Sequence, residues 1–177
     1  TIRFLSTPAI IASASVVGPK EGRGPLASLF DKILDDPINH ADSYETAEHT
    51  MLLSASECCI EKADLQKEQI DLIMGGDLLN QILSTTLTAR ELERPFLGLY
   101  GACSTMAESL LLGSLWVDGG YAQNVLCTAA SHYCTAERQF RYPLEYGNQR
   151  TPAAQWTVTG AGAFLIGHRD TSSVCIP

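Results

Sequence analysis

The sequence predicts an α/β domain, and three observations carry that expectation. Short apolar, β-branched segments bounded by glycine or proline alternate with longer segments of helical periodicity. The strand segments are apolar along their whole length rather than alternately polar, as strands covered on both faces are. No helical pattern separates the last two strands, so the last is expected to run antiparallel. The expected architecture is a mixed five-stranded sheet with helices on both faces.

Composition agrees with one well-cored domain over residues 1–177. A hydrophobic fraction of 45% with 18% charged residues suits a globular chain and excludes a disordered one. The net charge of −8 argues against a nucleic-acid backbone as partner, because phosphate binding needs a concentrated basic face. No apolar run reaches the roughly 20 residues of a membrane-spanning helix, so any membrane association is expected to be peripheral. The six cysteines (Cys58, Cys59, Cys103, Cys127, Cys134 and Cys175) match neither a zinc spacing nor a disulfide framework. Cys127, His132 and Cys134 lack a fourth ligand at a sensible spacing. Free thiols in an intracellular, reducing compartment and no metal site are the expectation.

The elements follow in order. "AIIASASVVG" (9–18) is a buried strand, followed by a Gly- and Pro-rich loop. Asp42 and Glu45 have capping-box spacing ahead of a helix over 43–62, with Ala47, Met51, Ala55 and Cys58 at helical intervals. "QIDLIMGGD" (69–77) is the second strand. "LLNQILSTTLTAREL" (78–92) carries helical spacing at Leu79, Ile82, Leu83, Thr86 and Leu87, and stops before Pro95. "FLGLYGA" (96–102) is the third strand, and a third helix runs from Ser104 to Gly119-Gly120. "NVLCTAAS" (124–131) and "WTVTGAGAFLIGH" (156–168) are the fourth and fifth strands, with a polar, aromatic loop between them. The third helix is apolar nearly all round, with Met106, Ala107, Leu110, Leu111, Leu112, Leu115, Trp116 and Val117. Such a helix must be covered on both sides, and one sheet covers only one.

Chemistry concentrates at "GACST" (101–105), where strand turns into helix. A thiol at a helix start sees unpaired N–H groups and the positive dipole end, which favours the thiolate. The same amides at Cys103 and Ser104 suit a carboxylate; Cys103 is equally well read as a small packing residue. Arg138 and Arg141 beside His132 have the makings of a fork for carboxylates. His132 closes the fourth strand, at the sheet end where ligands of open α/β sheets gather. Asp77 and Asn80 in "GDLLNQ" read first as caps of the second helix, and as ligand contacts where that helix end faces the cleft. "TGAGAFLIG" lacks the spacing of a dinucleotide loop.

A strand ending in "GACST" that opens a buried helix resembles the thiolase-like condensing enzymes. "VGPKEGRGPLASLFD", "GGDLLNQ", "GACST", "DGGYA", "ASHYCTAERQFRYPLEYGNQ" and "TVTGAGA" together resemble the stage V sporulation protein AD family, over about Val17 to Gly167. That resemblance implies a thiolase-like fold of two similar halves, of which this chain matches the N-terminal one. The other half, which in active relatives supplies the histidine and the histidine or asparagine of the cysteine site, is expected to be missing from this chain.

The family likeness further implies a binding protein rather than an enzyme. The implied ligand is dipicolinic acid (pyridine-2,6-dicarboxylate), free or as its calcium chelate, and no cofactor is implied. The implied partners are membrane-embedded sporulation proteins of the same transport system, and the implied place is the forespore or spore, peripheral to the inner membrane. A homodimer, or a second-half polypeptide, is expected to pack on helix 104–120. Cys103, Ser104, His132, Arg138, Arg141, Asp77 and Asn80 are the expected ligand contacts. Two alternatives remain: acyl transfer through a thioester on Cys103, and an assembly module without activity of its own.

Overall fold

A computed structural model describes residues 3–140, 156–168 and 174–175. One mixed sheet organises them. Its strands are β1 (Pro8–Val17), β2 (Lys32–Ile33), β3 (Leu72–Asp77), β4 (Phe96–Gly98), β5 (Val125–Ser131), β6 (Gly160–His168) and β7 (Val174–Cys175). The order is β2-β1-β6-β5-β3-β4, and β7 also pairs with β1. β6 is antiparallel to both β1 and β5, as expected for the last long strand, while β3 is parallel to β4 and β5. The expected five strands are all present. The two additions, β2 and β7, are two-residue pairings on β1, too short to show a period.

The four α-helices are α1 (Tyr44–Lys62), α2 (Leu83–Leu92), α3 (Thr105–Asp118) and α4 (Tyr133–Phe140). Alternate residues of the central strands feed two cores, one on each face of the sheet. Ile73, Leu126 and Leu165 pack with Met51, Leu52, Ala55 and Cys59 of α1 and with Ala89 and Leu92 of α2. Leu72, Met74, Val125, Cys127 and Ile166 pack with Val117 of α3. Helices therefore cover both faces.

Three sequence expectations need correction. The α1 cap is Ser43, whose Oγ accepts from Thr46 N at 3.1 Å, one residue beyond the expected Asp42–Glu45 box. Helix α2 begins at Leu83 rather than near Leu78. Ile82 takes a left-handed conformation (φ 50°), and the Asp77 carboxylate caps the helix by accepting from Ser84 N (2.7 Å) and Thr85 N (2.9 Å). Residues 133–140, expected as loop, form α4 on a buried side of small residues, Thr135 and Ala136, which carries no apolar stripe.

Helix α3 inverts the usual order of side chains. Its sheet-facing residues are Thr105, Ser109, Gly113, Ser114 and Val117. Gly113 is required there: a Cβ would stand 2.7 Å from Cys127 Sγ. Leu110 and Leu112 pack partly buried against the core on that face of the sheet, while Leu111 (41% exposed), Leu115 (37%) and Trp116 (38%) are on the other side. The helix that the sequence marks as apolar all round thus has one uncovered apolar face. Among the described residues, no helix is long and apolar enough to cross a membrane.

Candidate functional site

The turn that carries Cys103 is built by local geometry. After β4, Leu99 N donates to Gly75 O (2.8 Å), and the chain then turns through a 3₁₀ segment, Ala102–Ser104, before α3 begins at Thr105. Cys103 therefore precedes the helix rather than opening it. Ala102 is left-handed (φ 49°), a conformation that costs an L-residue about 1–2 kcal/mol. The turn is closed from inside: Thr105 Oγ1 donates to Ala102 O (3.0 Å) and accepts from Gly101 N (3.1 Å). Ser104 Oγ lies 2.9 Å from Gly101 O and 2.7 Å from Glu108 Oε1, so its single proton serves the turn and a resident carboxylate. The result is an exposed Cys103 thiol. It lines a cavity of about 190 Å³ together with Leu78, Thr105, Met106, Ala130, Ser131 and Gly160.

His132 lies elsewhere. It is buried, and both ring nitrogens are engaged: Nε2 donates to Pro37 O (2.9 Å) and Nδ1 accepts from Cys134 N (3.1 Å). Those bonds fix the tautomer with its proton on Nε2. His132 borders a separate, mostly apolar cavity of about 180 Å³ beside Lys20, Tyr133 and Trp156. There Tyr133 stacks on Trp156 (4.9 Å between ring centroids), and Lys20 Nζ sits 2.9 Å from the Trp156 ring centroid.

Asp77 and Arg138 belong to a third cavity, about 240 Å³, between the N-terminal ends of α1 and α2 and the side of α4. Glu45, Glu48, Leu79, Gln81, Leu83, Ser84, Thr135 and Gln139 complete its lining. Arg138 pairs with Glu45. Burial works to raise the Glu45 carboxyl, but its own backbone N–H and the Arg138 guanidinium outweigh it and hold it below the ordinary range. Glu48 and Asp77 are both 2% exposed. Burial pushes Glu48 up to about 7, helped by the Asp77 charge and opposed by the Thr135 hydroxyl. Burial raises Asp77 as well, against its three bonds from Ser84 and Thr85. Asn80 is exposed, and its Oδ1 accepts from Gln139 Nε2 at 3.4 Å rather than capping α2.

The expected site residues are therefore distributed over three cavities. Cys103 lines one, with Ser104 next to it; His132 borders the second; Asp77 and Arg138 line the third, with Asn80 beside it. Arg141 lies outside the described residues. Glu48 is the group that sequence reasoning passed over. Its signal was a carboxylate three and four residues ahead of Met51 and Leu52 on the buried stripe of α1.

Comparison with known proteins now adds to this geometry. The model of the family described as "Stage V sporulation protein AD (SpoVAD)" matches residues 1–176. The stage V sporulation protein AD of Bacillus subtilis (strain 168) is 47% identical over 160 residues, which are 90% of this chain and 47% of that protein. The chain thus spans about half the length of this relative. Among solved structures, 3-oxoacyl-[acyl-carrier-protein] synthase III from Aquifex aeolicus VF5 superposes with a TM-score of 0.61 at 17% identity, over 93% of this chain and 55% of that one. A variant of OleA from Xanthomonas campestris gives a TM-score of 0.65 at 12% identity, over 95% and 60%. At such identities these likenesses establish the thiolase-like fold alone.

Proposed function

The chain belongs to the stage V sporulation protein AD family, and from that premise we propose that it is a small-molecule binding protein of spore formation. Its proposed ligand is dipicolinic acid or the calcium chelate of that acid, bound for uptake into the forespore. The observation that supports binding is the Cys103 cavity, whose lining is small, apolar or hydroxylic and which opens beside the exposed Cys103 turn. A dicarboxylate entering from that cavity would meet the exposed turn at Cys103 and Ser104. Arg138 lines the neighbouring cavity, and its 58% exposed side chain would engage a ligand carboxylate there only by exchanging its Glu45 partner. Arg141, three residues on, is the second arm of the proposed fork.

The proposed partners are membrane-embedded sporulation proteins, with the chain peripheral to the inner membrane of the forespore. We also propose that the apolar face of α3 is covered by a second copy of this chain or by a second half of the fold. Full burial of a leucine side chain contributes about 1.5–3 kcal/mol, so a face holding Leu111, Leu115 and Trp116 is a strong association surface.

Calorimetric titration of the full-length protein with dipicolinate tests the ligand. Saturable binding is expected, weakened by about 1.5–3 kcal/mol in Arg138→Ala or Arg141→Ala, the worth of a charge-assisted contact. Absence of binding at millimolar ligand overturns the function, and unchanged affinity in both variants overturns the site. A second reading, acyl transfer through Cys103, draws support from the exposed thiol on a strained turn. It requires an adduct on Cys103 after incubation with an acyl-thioester donor, and binding without catalysis requires none.

A further inference from the structure

The cavity between α1, α2 and α4 has a chemistry opposite to that demanded by a dicarboxylate. We propose that it is a second binding site, for a small organic cation: a primary ammonium on a short apolar stem, held by Glu48. The carrying observation is an unused buried acceptor. Glu48 is 2% exposed and lines the cavity, and its Oε1 has no hydrogen-bond partner among the described residues. Its Oε2 accepts from Thr135 Oγ1 at 3.1 Å. Asp77, by contrast, spends both oxygens on the α2 cap. Buried polar atoms are almost always paired, so an orphan oxygen on a residue that lines the cavity marks the place of a donor.

The surroundings select the donor. Glu45, Glu48 and Asp77 supply three carboxyl groups against one guanidinium, Arg138, which Glu45 already matches. An anion would meet repulsion there and a cation attraction. A divalent metal is disfavoured, because calcium takes six to eight oxygens and no group of three His, Cys, Asp or Glu converges as a metal set among the described residues. An ammonium needs fewer and looser acceptors. Leu79 and Leu83 on the cavity wall suit an apolar stem. The volume of about 240 Å³ exceeds the ~30 Å³ share of one water several-fold. Arg138 lines this cavity and is also an arm of the proposed dicarboxylate fork, so the two readings share that residue; Glu48 does not line the Cys103 cavity, so its substitution tests the cation site alone.

Binding is also coupled to a proton. Glu48 is held up to about 7 by burial and the Asp77 charge, and an ammonium favours its ionised form. The charged groups facing it are Glu45 on its own helix, Asp77 from the end of β3 and Arg138 from α4. Affinity should therefore rise with pH across neutrality.

The test is an NMR titration of the purified protein with n-butylammonium chloride, beside n-butanol and potassium chloride at matched ionic strength. Saturable shifts are expected in amides of α1 and α4, with n-butanol binding about tenfold more weakly, a factor worth ~1.4 kcal/mol. Glu48→Gln should lower the ammonium affinity about tenfold, while the surface variant Glu93→Gln leaves it unchanged. Between about pH 6 and pH 8 the wild-type affinity should increase several-fold. Shifts that do not saturate, equal binding of n-butanol, or a pH-independent wild-type affinity each mean that the cavity holds water only. The pH series needs only the wild-type protein, so it decides the matter even where Glu48→Gln fails to fold.

Discussion

Helices α1 and α3 lie on opposite faces of the same sheet and solve the burial problem in opposite ways. α1 points its large residues inward: Met51 is 1% exposed, and Leu52 and Cys59 are wholly buried. α3 buries mostly small and hydroxylic residues, with Val117 the one large exception, and leaves Leu111, Leu115 and Trp116 at the surface. A helix packs closest on a sheet through small residues, which is why Gly113 tolerates no side chain against Cys127. The large residues of α3 are therefore not errors of burial. Under the proposal above, they belong to a contact with a second copy or a second half of the fold. The lesson is that helical periodicity reports which residues are apolar, while side-chain size reports which face is already occupied.

The sharpest way to break this comparison is to truncate each helix on its large-residue side. Leu52→Ala should destabilise the protein by about 2–5 kcal/mol, the range for opening a cavity in a well-packed core. Leu111→Ser combined with Trp116→Ser should cost the dilute chain no more than about 1 kcal/mol, because both positions remain partly in water. The same double variant should abolish association at micromolar protein. Urea melts give the first two quantities, and light scattering gives the third. An α3 double variant as damaging as Leu52→Ala at high dilution would show that its face is covered from within the chain.

A middle-sized effect separates the two buried carboxylates of the α1 side from the neutral packing on the α3 side. Glu48 titrates near 7 when folded, against about 4.5 when unfolded, because of burial first and the Asp77 charge second. Between these values the folded state holds a proton that the unfolded state has lost, so stability falls as pH rises through that window. Asp77 shifts in the same direction, and Glu45 in the opposite one. The Glu48 contribution amounts to roughly 2–3 kcal/mol between about pH 4.5 and pH 8. Glu48→Gln should flatten that part of the profile and raise the melting temperature at pH 8. Denaturant melts of both proteins across the pH series check it; parallel profiles would show that Glu48 titrates normally.

Much of this architecture is legible in the sequence, and the rest fails for identifiable reasons. β1, β3, β5 and β6 are visible because strands covered on both faces must be apolar throughout. α1 and α3 are visible from their periodicity. The start of α2 is not, since Leu79 and Ile82 continue a helical spacing that the Asp77 cap and the left-handed Ile82 interrupt. α4 is invisible because its buried side is Thr135 and Ala136. At the candidate site, Cys103 stands out from its neighbours alone. The pairing of Arg138 with Glu45 and the bond from His132 to the Pro37 carbonyl join residues 93 and 95 positions apart. Tertiary geometry makes those partners, and no local pattern announces them.

The smallest expected energetic effect lies among the thiols. Cys59 of α1 is wholly buried, and burial pushes its thiol up to about 12. Cys127, packed beneath α3 with its Sγ donating to Ser109 O at 3.1 Å, is also pushed up to about 12 by burial. Burial raises the half-buried Cys58 too. Cys103 is the exposed member, at the head of α3. The thiolate is the reacting species, so a group that is both buried and pushed up is protected twice. Brief treatment with iodoacetamide followed by peptide mapping should label Cys103 first, with Cys58, Cys59 and Cys127 far behind. Cys103→Ser should shift stability by less than about 0.5 kcal/mol, as surface substitutions do. It should also remove the fast phase of thiol titration. Labelling of Cys58 or Cys127 ahead of Cys103, or a large loss of stability in Cys103→Ser, would show that the thiol before α3 is a packing residue and that the cavity beside it is closed.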